Sequence, residues 1–74
     1  MQVKVMNRTY QMSQNEYKGL LDIASEQVPF GIYAVEKGDY AELCNIKCSS
    51  VTQLKTRTRQ YKAQGFKVHA NGRD

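Results

Sequence analysis

The chain has 74 residues, a formal net charge of +4 and two cysteines, and 41% of its residues are hydrophobic. This length fits a single small domain spanning residues 1–74. No apolar run approaches the roughly 18 residues of a membrane span, and the first residues lack the apolar stretch of a secretory signal. We therefore expect a cytoplasmic protein, and the minimal size favours a bacterial or phage origin.

The first twelve residues predict a β-hairpin with one apolar face. With a turn at residues 7–8, Val5 faces Tyr10 across the ladder and Val3 faces Met12. The polar and apolar positions alternate in the way that a half-buried hairpin requires.

A helix is predicted to follow this hairpin. Ser13 and Glu16 have the spacing of a capping box, in which each side chain bonds the backbone of the other residue. We expect the helix to end near Gln27 or Val28, because the residue before Pro29 is disfavoured in helical conformation. One apolar stripe runs along it, formed by Tyr17, Leu20, Leu21 and Ala24.

Residues 30–48 predict a second hairpin that turns at residues 37–39. The pattern leaves its register open, since both faces are apolar enough to be buried. Ser50 is a candidate N-cap for a second helix over residues 51–64, and Gly65 suits its C-terminal end. A last strand is predicted over residues 66–70, followed by a frayed tail.

The predicted element order is β-β-α-β-β-α-β, which indicates an α+β fold. We expect an antiparallel-rich sheet of about five strands with two helices on one face. The other face would then expose apolar residues of the second hairpin, and monomers seldom expose large apolar patches. A domain of this size also buries only about 60% of its unfolded surface. Both points favour a homodimer formed through the open sheet face.

Charge is unevenly distributed along the chain. Residues 1–42 carry four basic and six acidic side chains, whereas residues 43–74 carry seven basic side chains and one acidic. Four of these seven basic residues belong to the second helix, which contains no acid. Lys55, Arg59 and Lys62 share one flank of its apolar stripe, Arg57 lies on the other flank, and Lys67 on the following strand would extend the patch.

Three interpretations of this basic helix remain open. It could contact nucleic-acid phosphates or a protein partner. Its cations could instead be solvated at the edge of the core, or face Asp22 and Glu26 of the first helix within the domain or across a dimer.

Catalysis and metal binding find little support in the residue types present. His69 is the single histidine, and nothing in the sequence spacing pairs it, as a base, with a nucleophile. Cys44, Cys48 and His69 supply three soft ligands where a structural zinc site needs four. In an extended segment the two cysteines lie too far apart for a disulfide. We expect no enzyme, cofactor, metal or small-molecule substrate.

The sequence thus predicts a non-enzymatic binding module. Our first hypothesis is a protein–protein adaptor or inhibitor that acts through the open sheet face, with Tyr33 and Tyr40 as interface residues because tyrosine is enriched at interfaces. The alternative is a nucleic-acid-binding accessory protein that uses the basic helix at residues 51–64.

Overall fold

The computed structural model of the protein describes residues 1–72. Its elements are β1 (Gln2–Val5), β2 (Arg8–Gln11), α1 (Gln14–Gln27), β3 (Phe30–Lys37), β4 (Tyr40–Lys47), α2 (Val51–Ala63) and β5 (Lys67–Gly72). The five strands form one sheet in the order β2-β1-β4-β3-β5. Strands β1 and β4 are parallel, and the other three neighbouring pairs are antiparallel. The predicted α+β fold, element order and antiparallel-rich sheet are confirmed.

The two helices lie on opposite faces of the sheet, whereas the sequence predicted both on one face. On β5, the side chain of Asn71 bonds Ser25 and the carbonyl of Val28 at the end of α1. The adjacent Gly72 lies against Leu54 of α2. Because successive residues of a strand point to opposite faces, α1 covers one face and α2 the other.

Strand order explains this arrangement. Each helix connects two parallel strands, α1 joining β2 to β3 and α2 joining β4 to β5, and both connections cross the sheet toward the β5 edge. The two connections start from strands that run in opposite directions. Right-handed crossovers are strongly preferred, and with opposite starting directions they place the two helices on opposite faces.

Both predicted helix caps are present. At α1, the backbone N–H of Glu16 donates to the Ser13 hydroxyl, and the Glu16 carboxylate accepts from the Ser13 backbone. At α2, the backbone N–H of Gln53 donates to the Ser50 hydroxyl. Each cap satisfies a backbone donor that the first helical turn leaves without an intrahelical partner, and so fixes where the helix begins.

The first hairpin turns one residue earlier than predicted. Val5 pairs with Arg8 and Val3 pairs with Tyr10, so that the turn is formed by residues 6–7. Met6 occupies the first turn position with a φ of 58°. The earlier turn moves the pairing by two residues, which keeps the apolar side chains on one face as expected.

Each face of the sheet has its own small apolar layer. Under α1, Val3 and Ala41 of neighbouring strands pack against Tyr17. On the α2 side, Ile32 and Val35 of β3 are buried. Because α2 covers this second layer, the prediction that one apolar face of the sheet is open is wrong.

A β-bulge lies in β3 between Ile32 and Ala34, where the pairing with both neighbouring strands shifts. Just before it, Gly31 has a φ of 151°, and a Cβ there would lie 2.0 Å from the backbone oxygen of Ile46. Only glycine fits this close approach of β3 to β4.

Within residues 1–72, no helix has both the length and the apolar composition needed to cross a membrane.

Candidate binding groove between α2 and the edge strand β5

Strand β5 forms one edge of the sheet. Its six residues, Lys67–Gly72, pair with β3 on one side, and no described strand lies on the other. The free side therefore presents backbone N–H and C=O groups that another extended chain can pair with. The opposite edge, β2, has four residues, which makes it the shorter of the two edges.

Helix α2 is joined to the sheet at its C-terminal end. The Ser50 cap fixes the residue at which the helix begins. At its C-terminal end, the Lys37 ammonium donates to the carbonyl of Gln64, 3.0 Å away, and lies 5.5 Å from the centre of the Phe66 ring. A cation here is favourable both for the helix dipole and for the aromatic ring. These contacts of Lys37 hold the C-terminal end of α2 from outside the groove.

A groove of about 450 Å³ separates α2 from β5. Leu54, Thr58, Ala70 and Gly72 form its floor. The outer wall consists of Lys55, Arg59 and Lys62, which the sequence placed together on one flank of the helix. The structure therefore confirms that these three cations share a flank, and it adds that this flank faces the free edge of the sheet.

These groove cations have no acidic partner among the described residues. The contact between Glu36 and His69 is the one ion pair within residues 1–72. Asp22 and Glu26, the candidate intramolecular partners, belong to α1 on the opposite face of the sheet. Pairing with Asp22 or Glu26 within the domain is therefore excluded for Lys55, Arg59 and Lys62, and no acidic side chain among residues 1–72 neutralises the positive charge of the groove.

Arg57 and Lys67 lie away from the groove. Arg57 is one turn before Tyr61, on the flank of α2 that faces β4, and its positive charge partly offsets the rise in the pKa of Tyr61 that burial causes. Lys67 lies opposite Glu36 on the α1 face of the sheet, where it lines a separate cleft. The prediction that Lys67 extends the patch on α2 is therefore wrong, because the alternation of β5 directs it to the other face.

The two tyrosines predicted as an interface do not share a surface. Tyr33, at the bulge, lies against the His69 ring on the α1 face, with 6.0 Å between the ring centres. The Tyr40 hydroxyl donates to Glu42, and Glu42 is paired with Val35 of the α2 layer. They belong to opposite faces of the sheet and cannot bind one partner surface together.

A polar cluster beneath α1 was not among the features predicted from the sequence. The hydroxyl of Tyr17 donates to the Glu36 carboxylate at 2.9 Å, and the His69 imidazole contacts the same oxygen. Burial, reinforced by Glu36, raises the pKa of Tyr17 well above its ordinary value. One signal was present in the sequence: alternation along β3 places Glu36 on the same face as the buried Ala34.

Neither thiol is part of the groove. Both cysteines are free and half-buried. Burial, with the neighbouring Glu42 carboxylate, raises the pKa of Cys44 to about 11, so the thiol is protonated at neutral pH and is a poor nucleophile. Among the described residues no three His, Cys, Asp or Glu side chains converge as metal ligands do.

No protein-family model matches the chain, and neither a similar curated protein nor a similar solved structure was found.

Proposed function

We propose that the protein is a non-enzymatic binding module that captures an extended, acidic segment of a partner protein by strand addition at β5. The observation that carries this proposal is the groove itself, in which the edge strand β5 lies beside a cationic helix flank that has no acidic partner among residues 1–72. In strand addition, backbone hydrogen bonds supply affinity, and the alternating side chains of the added strand supply specificity.

The dimensions and charge of the groove favour a particular kind of segment. Six residues of β5 match an added strand of similar length, about 20 Å long. Side chains of that strand on the α2 side would meet Lys55, Arg59 and Lys62 above a floor of small and apolar groups. Those on the opposite side would pass Lys67. Acidic residues are favoured on both sides, with aliphatic residues tolerated over Ala70.

A nucleic-acid ligand is the competing class, since phosphates also need a cationic surface without acids. Two features favour the peptide. No aromatic side chain lines the described groove, so single-stranded bases would have no stacking platform. The groove also ends at a strand edge, whose backbone N–H and C=O groups can pair with the backbone of a peptide but not, as a ladder, with a phosphate chain. The affinity of a phosphate ligand would fall steeply with salt. Only a peptide added as a strand would depend on which of its backbone amides is methylated.

The first experiment uses a fluorescent six-residue peptide in which Glu alternates with Val. One set of alternating amides in an added strand faces β5, and the other faces solvent. We expect N-methylation of one set to abolish binding and N-methylation of the other to leave it nearly unchanged. Equal effects of both methylations would contradict strand addition.

The second experiment tests whether the peptide binds to the flank of α2 that lines the groove. Arg59→Glu is expected to weaken peptide binding at least about tenfold, whereas Arg57→Glu, the same change on the other flank of the same helix, should leave it unchanged. Binding of a short DNA duplex or single strand that outcompetes the peptide, with affinity falling steeply with salt, would overturn the proposal in favour of phosphate recognition.

A further inference from the structure

A second cleft lies at one end of the α1 layer, where the first half of α1 meets the end of β3 and the start of β5. Its volume is about 290 Å³, close to the lower end of the range for small-molecule sites, roughly 300 Å³. The cleft shares no lining residue with the β5 groove. It is therefore a separate place at which a ligand can bind.

The polar cluster beneath α1 forms one side of this cleft. The Glu36 carboxylate accepts a hydrogen bond from the Tyr17 hydroxyl and contacts Nε2 of His69 through the same oxygen. The side chains of Glu36 and His69 are each only 22% exposed. The other ring nitrogen of His69 has no hydrogen-bond partner among the described residues. Glu36 thus fixes the imidazole at the cleft and leaves one of its nitrogens for a further contact.

Two lysines add positive charge to the lining. Lys18 belongs to α1 and Lys67 to β5, and both side chains are exposed. Neither forms an ion pair with an acid among residues 1–72, and the Glu36 carboxylate contacts Tyr17 and His69 instead. When His69 is protonated, the lining of the cleft carries three positive charges and one negative charge. Cations collected at one cleft attract an anion, and this balance suits a dianion.

We propose that this cleft binds a small phosphate monoester. A phosphate monoester carries a charge of about −1.5 to −2 at neutral pH and has three acceptor oxygens, which match Lys18, Lys67 and protonated His69. A carboxylate has one charge and two oxygens, so it would leave part of this lining without a partner. Met1 and Leu21 add apolar surface to the cleft, which favours an organic group on the phosphate over the free ion.

Three probes test this ligand class on the full chain by ¹⁵N NMR titration: phenyl phosphate, benzoate and inorganic phosphate. We expect phenyl phosphate to bind at least about tenfold more tightly than each of the others. It should also shift the resonances of the His69 ring nitrogens, which an anion held only by exposed lysines would leave in place. Equal affinity for benzoate or for inorganic phosphate would overturn the proposal, and so would unchanged His69 resonances at tens of millimolar phenyl phosphate.

Matched substitutions test the assigned cations. Lys18→Gln should weaken binding of phenyl phosphate at least about fivefold. Lys47→Gln removes the same charge at the last residue of β4, outside the cleft, and should leave binding unchanged. Equal losses in both variants would indicate a response to net charge alone and would overturn the site. Neither side chain lines the β5 groove, so both variants should still capture the acidic peptide, and the two proposals can fail separately.

Discussion

The side-chain amide of Asn71 lies 3.0 Å from the carbonyl oxygen of Val28 and donates to it, joining the last strand to the C-terminal end of α1. The same amide nitrogen contacts the backbone oxygen and the hydroxyl of Ser25. Asn71 thus holds the end of β5 against the sheet. The tail predicted to fray from residue 71 instead continues the strand to Gly72, and Arg73 and Asp74 lie outside the described residues.

Asn71→Ala should lower the free energy of unfolding by about 1–3 kcal/mol, because carbonyl groups at the end of α1 would lose a half-buried donor. Urea denaturation measures the loss. Hydrogen exchange should show that protection falls most in β5. Loss spread evenly over all strands would contradict a local role for this contact.

Two glycine substitutions should have opposite effects on stability. Gly31→Ala forces a Cβ onto the backbone of Ile46 in a conformation that alanine avoids, and we expect it to cost at least about 3 kcal/mol. Gly19→Ala meets no atom within 4 Å, and within α1 it should gain about 0.5–1 kcal/mol. Thermal unfolding of the two variants, side by side, tests both expectations.

Stability should decline at alkaline pH. Burial raises the pKa of Cys44 from 9.0 to about 11 and that of Tyr17 above its ordinary value of 10.0. A group whose pKa is higher in the folded state contributes its full stabilisation below its unfolded pKa and loses it as the pH rises toward the folded value. The urea midpoint should therefore fall above about pH 9.

Variants identify the groups responsible for this alkaline loss. Cys44→Ala should reduce the fall in the urea midpoint between pH 9 and 11. Tyr17→Phe should reduce the fall above pH 10. Tyr17→Phe also removes the hydrogen bond to Glu36 and should lower stability at neutral pH by about 1.5–3 kcal/mol. A profile that both variants leave unchanged would mean that other groups titrate.

Replacing Arg59 with glutamate should weaken peptide binding and at the same time stabilise the fold. Lys55 lies four residues before it and Lys62 three residues after it, and like charges at these spacings repel. Arg59→Glu converts both pairs to attractive ones and should raise the free energy of unfolding by about 0.5 kcal/mol, while it weakens capture of an acidic peptide. A variant that loses both stability and binding would indicate that Arg59 supports the fold instead.

Local features of this fold could be read from the sequence, and features that depend on strand order could not. The caps at Ser13 and Ser50 involve residues three apart, so the sequence pattern contains the whole interaction. The faces covered by α1 and α2 depend on which strands pair, and that pairing joins distant segments. The contact between Glu36 and His69 similarly links residues 33 apart, beyond the reach of any local pattern.

The candidate site was partly predictable for the same reason. The spacing of Lys55, Arg59 and Lys62 within one helix was enough to place them on one flank. Their position at a free strand edge required knowledge that β5 is last in the sheet. The first hairpin shows a different limit, since Met6 adopts a conformation that its residue type disfavours, and turn preferences indicated residues 7–8 instead.

Strand addition at β5 is tested most directly by mapping the acidic peptide on the protein by ¹⁵N NMR. The account predicts that backbone amide shifts change along Lys67–Gly72 and near Lys55, Arg59 and Lys62, and that β5 amides facing the free edge become protected from exchange. Shifts restricted to the exposed outer surface of α2, with β5 unchanged and unprotected, would contradict it.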